Sequence, residues 1–244
     1  EVGMGEGESR PASAASTGAG GCDAAGERRR GIPEAILAEG KTPAEVAALA
    51  TTALDTTGRA LVTRADEATA AAVASAVGDA GADATVDRDD RVGTVVVHAD
   101  GFEPPSLDAA VAVVTAGTGD APVAGEAAVV AREIGAAVDR IDDVGVANLD
   151  RILDQVDRVR EADAVVVAAG REGALPTVVA GLVDAPVIAL PVSTGYGVGG
   201  EGVAALEGAL QSCSALTTVN VDAGFVAGAQ AGLIARAVDA ARAE

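Results

Sequence analysis

Residues 111–122 read VAVVTAGTGDAP, and this stretch decides the fold class. Its first half is a continuous apolar run, which is typical of a strand buried on both faces of a parallel sheet. A glycine-rich turn follows, and Asp120 then stands at the start of a helix whose apolar residues recur at helical spacing from Val123 to Ile134. The stretch therefore predicts one strand–loop–helix unit of an α/β protein.

The same unit recurs along the rest of the chain, where strand and helix alternate about five times. The predicted strands are 111–117, 136–141, 162–170, 185–192 and 217–221, and the predicted helices are 120–134, 149–159, 173–183, 203–212 and 224–241. This alternation predicts a parallel sheet covered by helices on both faces. Ligands of such sheets bind at the carboxyl ends of the strands, so the loops after the strands are candidate sites.

Upstream of this repeat the chain divides into two further parts. Residues 1–27 are rich in Gly, Ala, Ser and Glu with little periodicity, so we expect a disordered tail. We expect residues 28–106 to form a smaller α+β domain and residues 107–244 to form the catalytic domain. The predicted elements of the smaller domain are helices 32–40, 42–55 and 66–77, strands 60–64 and 91–99, and the proline linker 102–106. A capping box, Thr42 with Glu45, starts the second of these helices.

The composition limits the classes of partner. Hydrophobic residues make up 49% of the chain but aromatic residues only 1%, so the core must be built from Val, Leu, Ile and Ala. The net charge is −20 and Lys41 is the only lysine, which argues against binding to nucleic acid or to an anionic membrane surface. This excess of acid, with arginine as nearly the sole cation, is typical of proteins from a high-salt cytoplasm; the alternative is an acidic protein of a GC-rich bacterium.

The few cysteines and the single histidine exclude two classes of site. Cys22 and Cys213 are far apart and form no disulfide framework, and with His98 alone they make no His/Cys metal cluster. No apolar run is long enough to span a bilayer, and no secretory signal is recognisable at the N-terminus. We therefore expect a cytoplasmic, reduced location.

Four loops are candidates for chemistry: TAGTGDAP (115–122), AAGREGALP (168–176), PVSTGYGVGGEG (191–202) and QSCSAL (211–216). The first can bind phosphate through backbone N–H groups at a helix start, although Asp120 can equally be a simple N-cap. In the second, Glu172 is either an active-site acid or a solvated carboxylate. The third contains the only tyrosine, Tyr196, and is either a ligand cover or a flexible flap. Cys213 in the fourth is either a nucleophile or a small buried hydrophobe, and we expect His98 to be a partly buried structural residue.

Together these loops resemble the LarB family, the carboxylase/hydrolase of nickel-pincer cofactor biosynthesis, which is related to the aminoimidazole ribonucleotide (AIR) carboxylases of purine synthesis. The matching segments, in order, are RRRGIPEAILAEGKTP, GTGDAPVAGEAAVVAREIG, DVGVANLDRIL, AGREGALPTVVAGLVDAPVIALPVSTGYG and LQSCSALTTVNVDAGF. The resemblance covers roughly residues 28–236. It implies a flavodoxin-like, doubly wound parallel sheet of the AIR-carboxylase type after the smaller domain.

The resemblance also implies a reaction. The substrate is nicotinic acid adenine dinucleotide, which receives a second ring carboxylate from CO₂ or bicarbonate; the phosphoanhydride is then hydrolysed to give pyridinium-3,5-biscarboxylic acid mononucleotide and AMP. Cys213 matches a nucleophile that adds to the ring, Glu172 a catalytic glutamate and Asp120 an active-site acid. The implied substrate-binding residues are Gly117, Thr118, Gly119, Gly170, Gly173, Ser193, Thr194, Gly195, Tyr196, Gly197 and Asp222.

The family also sets expectations for cofactors and assembly. Mg²⁺ is a candidate for the phosphate hydrolysis, but no metal-ligating residues and no tightly bound organic cofactor are expected. Relatives form homo-oligomers, commonly octamers.

This chain departs from the family pattern at three positions. Asp150 stands where a histidine is frequent, Arg171 where a methionine is frequent, and Ala223 where an asparagine is usual. Two alternatives stay open. One is an AIR carboxylase or mutase, which Asp150 and the presence of Cys213 oppose. The other is a non-catalytic nucleotide-binding protein on the same fold.

Overall fold

The structure, a computed structural model, describes residues 24–81 and 83–244. Most of the predicted disordered tail, residues 1–27, lies outside the described residues. Its last four residues begin a helix, α1 (Ala24–Arg30). No helix within the described ranges has the length and apolar character needed to cross a bilayer.

The first part of the chain forms a four-stranded mixed sheet covered by two helices. Its elements after α1 are β1 (Ala35–Leu37), α2 (Pro43–Thr57), β2 (Arg59–Thr63), α3 (Glu67–Asp79), β3 (Ala84–Asp89) and β4 (Thr94–Ala99). The strand order is β1-β2-β4-β3, with β1 parallel to β2 and the other pairs antiparallel. The predicted capping box is present, because the Glu45 carboxylate accepts from the Thr42 backbone N–H at 2.7 Å and the Thr42 hydroxyl accepts from Glu45 N–H.

The second part is a five-stranded sheet in which every pairing is parallel. Its strands are β5 (Ala110–Thr115), β6 (Ala137–Ile141), β7 (Ala164–Ala169), β8 (Val187–Pro191) and β9 (Leu216–Thr218); its helices are α4 (Ala121–Ile134), α5 (Leu149–Leu153), α6 (Val156–Arg160), α7 (Ala174–Ala180), α8 (Val203–Leu210) and α9 (Gly224–Arg242). The order β6-β5-β7-β8-β9 places the first strand of this part inside the sheet, with the second strand on one side and the remaining three on the other. This is the predicted flavodoxin-like, doubly wound fold.

Alternate residues of β5 show how both faces of the second sheet are covered. Val111 and Val113 are buried against α4 and α9, whereas Ala112 and Val114 are buried against α5, α6 and α7. Since both sides of the strand face helices, the strand has no polar face. The continuous apolar run in the sequence is explained by this packing.

Two segments of the first part differ from the prediction. Residues 32–40 were expected to be helical, but Ala35–Leu37 form β1, which pairs in parallel with β2. Strand β3 was not expected because five of its six residues are exposed and three of them are charged. It lies at the edge of the sheet, where charged side chains are common.

The predicted helix 149–159 is also different. The chain makes two short helices, α5 and α6, joined through a tight turn in which Gln155 N–H donates to the Ile152 carbonyl. Ile152 and Val159 are buried, whereas Leu149 is exposed. The predicted single apolar face is therefore wrong.

Helix α4 connects the two parts of the molecule. On one side it packs closely on α9, whose Gly228 backbone approaches Ala127 so closely that a Cβ there would lie 2.3 Å from the Ala127 carbonyl oxygen. On the other side, Glu133 of α4 binds Arg59 and lies 3.0 Å from His98 Nε2. His98 is half-buried and stacks on Phe102, so its predicted structural role is confirmed.

Candidate active site

Asp120 joins three loops at the carboxyl ends of the strands. Its carboxylate accepts hydrogen bonds from Gly117 N–H at 2.8 Å, from Gly170 N–H at 3.2 Å and from the Thr194 hydroxyl at 3.0 Å. It makes no side-chain cap bond to α4, although it occupies the N-cap position. The alternative that Asp120 is a simple N-cap is therefore wrong: its carboxylate links the loops after β5, β7 and β8.

The environment of Asp120 disfavours its charge. The residue is only 5% exposed, and burial raises the pKa of its carboxyl above the ordinary 3.8, while the three hydrogen bonds act in the opposite direction. A buried carboxylate that is both desolvated and hydrogen-bonded by backbone N–H groups is a feature of functional sites as well as of structural networks.

Two glycines allow the loops to approach this closely. A Cβ on Gly170 would lie 2.2 Å from the Thr194 carbonyl oxygen, and a Cβ on Gly145 would lie 2.5 Å from the Ala116 carbonyl oxygen. These distances are far below any normal contact to a Cβ atom. Glycine at both positions is thus a packing requirement of the site.

The loops after β5, β6, β7 and β8 line a cavity of about 470 Å³, a volume in the usual range of small-molecule sites. It lies at the carboxyl ends of β5, β6, β7 and β8, around the point where the strand order reverses. The predicted residues that line it are Gly117, Gly119, Asp120, Gly170, Glu172, Thr194, Gly195 and Tyr196. The structure therefore brings most of the predicted loops together around one space.

Two arginines line the cavity and were not among the predicted site residues. Arg151 donates to the Asp143 carbonyl at 2.7 Å and forms an ion pair with the Asp143 carboxylate at 3.0 Å, while its Nε is buried without a partner among the described residues. Arg171 lies over the Tyr196 ring, with its guanidinium carbon 4.2 Å from the ring centroid. Both cations face a space that is also lined by the glycine loop at residues 117–119, so the cavity has an anion-binding side.

Glu172 supplies the second carboxylate of the cavity. It is exposed and makes no hydrogen bond or ion pair with another residue in the described part of the chain. The preceding residue, Arg171, has a left-handed backbone with φ of +52°. This conformation, uncommon for a residue other than glycine, turns the chain at the mouth of the cavity.

Cys213 lies outside this cavity. It follows α8 and precedes β9, so it stands at the amino end of a parallel strand, at the opposite edge of the sheet from the cavity loops. The adjacent Ser212 hydroxyl accepts from the Thr177 hydroxyl of α7 at 2.9 Å. The Cys213 thiol is exposed, so the alternative that it is a buried core residue is wrong.

Five other predicted residues surround the cavity without lining it. They are Thr118, Gly173, Ser193, Gly197 and Asp222. Ser193 N–H donates to the Asp222 carboxylate at 2.9 Å, so Asp222 holds the start of the loop that carries Tyr196. The Thr118 carbonyl accepts from Arg91 of the first sheet.

The departures from the family pattern have structural consequences. Asp150 is exposed and does not line the cavity. Ala223 is the N-cap of α9 and offers no side-chain cap. Near it lies the buried carboxyl of Glu126 of α4; burial raises the pKa of this carboxyl, and the Phe225 N–H in the first turn of α9 acts in the opposite direction.

Comparison with known families agrees with this architecture. Residues 15–95 match the LarB/PurE-like N-terminal domain, and residues 110–244, more than half of the chain, match the AIR carboxylase domain. The chain belongs to the LarB family. This confirms the predicted relationship to the AIR carboxylases and supports a carboxylase-type role for this LarB-family protein.

A curated relative shares part of the sequence. The uncharacterized protein MJ0165 of Methanocaldococcus jannaschii is 44% identical over 129 residues, which are 52% of this chain and 49% of the relative. This chain's match thus spans about half the length of that relative. Among residues 24–81 and 83–244, no group of three or more His, Cys, Asp or Glu side chains is placed to hold a metal ion.

Proposed function

We propose that this protein carboxylates the pyridinium ring of nicotinic acid adenine dinucleotide with CO₂ or bicarbonate and hydrolyses the phosphoanhydride, giving pyridinium-3,5-biscarboxylic acid mononucleotide and AMP. One observation carries the proposal. A single cavity combines an anion-binding side, formed by Arg151 and Arg171 with the glycine loop, with two carboxylates, Asp120 and Glu172. The anionic phosphates of such a dinucleotide complement the arginines and the glycine loop, and its cationic ring complements the two carboxylates.

The phosphates have donors ready in the cavity. Arg171 stacks on Tyr196 and makes no ion pair within the described part of the chain, so its guanidinium can bind a phosphate. Arg151 also lines the cavity; its Nη1 pairs with the Asp143 carboxylate at 3.0 Å, and a phosphate would share this guanidinium with Asp143. Planar guanidinium groups bind phosphate through paired hydrogen bonds. Loss of either arginine should therefore weaken binding of the dinucleotide more than binding of nicotinic acid riboside, which carries no phosphate.

The ring chemistry requires a carbon nucleophile. Addition of the Cys213 thiolate to the ring carbon opposite the nitrogen forms a C–S bond and moves an electron pair onto the ring nitrogen. The resulting enamine attacks CO₂ through the neighbouring carbon. Loss of that carbon's proton to Glu172 and expulsion of the thiolate then restore the aromatic ring.

The thiol must reach the ring for this mechanism to operate. Since Cys213 lies outside the cavity of its own chain, either the 211–216 segment moves or a neighbouring chain of a homo-oligomer supplies the thiol. Mixing Cys213→Ala and Glu172→Gln chains distinguishes these routes. Recovery of activity on mixing means that each site is shared between chains, and no recovery means that thiol and carboxylate act within one chain.

The purine reaction fits the site less well. An AIR carboxylase of the related type is expected to use a histidine in the segment where Asp150 stands. Asp150 is exposed and does not line the cavity, and His98, the only histidine, binds Glu133 at the junction of the two sheets. The single imidazole of the chain therefore does not line the cavity, which disfavours the purine reaction.

Conditions and cofactors follow from the same reasoning. Mg²⁺ bound through the substrate phosphates would favour phosphoanhydride cleavage and needs few protein ligands. The net charge of −20 leads us to propose a high-salt cytoplasm as the native setting, so assays belong in concentrated KCl.

Two variants test the assignment of the thiol and the carboxylate. Cys213→Ala should abolish carboxylation while dinucleotide binding, measured by calorimetry, is retained; Cys22→Ala is the control. Glu172→Gln should lower kcat about 10²–10⁴-fold, the usual contribution of a general base, with Glu207→Gln on the exposed side of α8 as control. Full carboxylase activity of Cys213→Ala contradicts the covalent mechanism.

A further inference from the structure

The first sheet reaches the cavity loops through two arginines. Arg91, in the turn between β3 and β4, donates to the Thr118 carbonyl at 3.2 Å. Arg64, which follows β2, donates to the Asp222 carbonyl at 2.7 Å. These contacts lie on two sides of the cavity, one at the loop after β5 and the other next to the loop after β8.

All three guanidinium nitrogens of Arg64 face acceptors from different elements. Nη2 binds the Asp222 carbonyl, Nη1 binds the Glu39 carboxylate at 3.0 Å, and Nε lies 3.8 Å from the Glu126 carboxylate of α4. The Arg64 backbone is left-handed, with φ of +57°. A strained arginine that contacts three separate segments has its position fixed from several directions.

A line of hydrogen bonds continues from Arg64 to the cavity. Asp222 is itself left-handed, with φ of +55°, and its carboxylate accepts from Ser193 N–H at 2.9 Å. The next residue, Thr194, donates its hydroxyl to Asp120 at 3.0 Å. Asp120 in turn accepts from Gly117 and Gly170 in the two other loops.

We propose that Arg64 is a positioning residue for the Ser193–Gly197 loop. Through Arg64, the first sheet fixes a loop that lines the cavity. None of the three residues that the Arg64 guanidinium contacts lines the cavity. It acts by keeping Asp222 in its left-handed conformation, so that the Asp222 carboxylate stays on Ser193 N–H. The proposal depends on the geometry of the cavity and not on the identity of the substrate.

The mobility of this loop can be followed by the fluorescence of Tyr196. Tyr196 is the only tyrosine and the chain contains no tryptophan, so the intrinsic fluorescence of the protein comes from this loop. Without Arg64 the loop should be more mobile, which lowers the steady-state anisotropy of Tyr196. The exchange of Ser193 N–H should become about tenfold faster, as expected for the loss of roughly one net hydrogen bond.

The experiment compares Arg64→Met with Arg88→Met in the ligand-free protein. Arg88 lies in β3 of the same sheet and pairs with Asp90, and neither residue lines the cavity. Hydrogen exchange of the 190–200 segment and Tyr196 anisotropy are measured together with global unfolding by circular dichroism. Faster exchange and lower anisotropy in Arg64→Met alone, at unchanged far-ultraviolet signal, support the proposal; values equal to those of Arg88→Met overturn it.

Two further variants keep the test decisive. If Arg64→Met folds poorly, Arg64→Gly removes the guanidinium and also relieves the left-handed backbone. Asp222→Ala should reproduce the loop changes of Arg64→Met, and the double variant should add little, because both residues act on the same Ser193 N–H. If the effects of the two single substitutions on hydrogen exchange add fully in the double variant, Arg64 and Asp222 do not act on Ser193 N–H together. With a substrate in hand, Arg64→Met should raise KM more than it lowers kcat, and it should do so whichever nucleotide proves to be the substrate.

Discussion

Substitution of Gly170 by alanine should push two cavity loops apart. A Cβ at this position would lie 2.2 Å from the Thr194 carbonyl oxygen and 3.2 Å from that of Val192. Both acceptors are backbone atoms at the end of β8, so no side-chain rotation can relieve the clash. The loop must move by about 1.2 Å to bring this 2.2 Å approach to an ordinary contact distance of 3.4 Å.

The energetic cost can be worked from the contacts that this movement disturbs. Overpacking of this kind costs about 1–3 kcal/mol. The shift also lengthens the bonds of Asp120 to Gly170 N–H and to the Thr194 hydroxyl, and weakening one charged hydrogen bond adds about 1 kcal/mol. We therefore expect Gly170→Ala to lower the free energy of unfolding by about 2–4 kcal/mol and Tm by about 5–15 °C.

The assay is urea unfolding followed by far-ultraviolet circular dichroism at fixed KCl. The matched control is Gly78→Ala in α3, where a new Cβ meets nothing within 4 Å. Because alanine favours a helix over glycine, this control should gain about 0.5–1 kcal/mol. The close approach of the two loops is refuted if Gly170→Ala changes the free energy of unfolding by less than about 0.5 kcal/mol while Gly78→Ala shows its expected gain.

Three further predictions concern packing and pH. Gly228→Ala should destabilise by about 1–2 kcal/mol in the same urea assay, because a Cβ there lies 2.3 Å from the Ala127 carbonyl oxygen; a gain would mean that α4 and α9 are not in close contact. Hydrogen bonds from the Thr42 backbone and side chain lower the pKa of Glu45 below 4.5, so this carboxylate stabilises the protein above that pH and the benefit is lost as pH falls. Glu45→Gln should flatten this acid dependence of Tm, and an unchanged profile argues against the capping box. Burial raises the pKa of Glu126, so its ionisation costs stability as pH rises through that raised value. Glu126→Gln should then gain Tm relative to the parent as pH rises from 4.5 towards 8, and a constant difference contradicts the desolvation.

The second sheet could be predicted because its signals are local. Strands β5, β7 and β8 are almost wholly apolar runs and the loop after each contains glycine, so this part of the pattern needs no knowledge of partners. The same is true of the Thr42 cap, whose two partners are three residues apart. The position of the cavity then follows from the rule that parallel strands end on the same side.

The elements that were missed depend on distant contacts. Residues 35–37 become a strand only because β2 lies beside them, and the charged β3 is stabilised by pairing with β4. The chain breaks between α5 and α6, and of the apolar residues of the predicted helix only Ile152 and Val159 are buried. The spacing of apolar residues within these segments does not distinguish the observed strands and the helix break from the predicted elements.

The candidate site shows the same division. The glycine loops and Asp120 carry a local signature, whereas Arg151 was missed because one arginine on a helix of mixed charge has no signature of its own. The position of Arg151 was nevertheless a usable signal. This residue follows the loop after β6, and loops after other strands of the same sheet were already candidates. Cys213 could be recognised by resemblance, but whether its thiol reaches the cavity depends on how α8 packs and on neighbouring chains.

The most direct test of the proposed activity is a mass spectrum. The purified protein is incubated in concentrated KCl with nicotinic acid adenine dinucleotide, Mg²⁺ and ¹³C-labelled bicarbonate. We expect a labelled pyridinium biscarboxylate mononucleotide together with AMP, and no labelled mononucleotide from Cys213→Ala. Carboxylation of aminoimidazole ribonucleotide instead, or inertness toward both substrates, would contradict it.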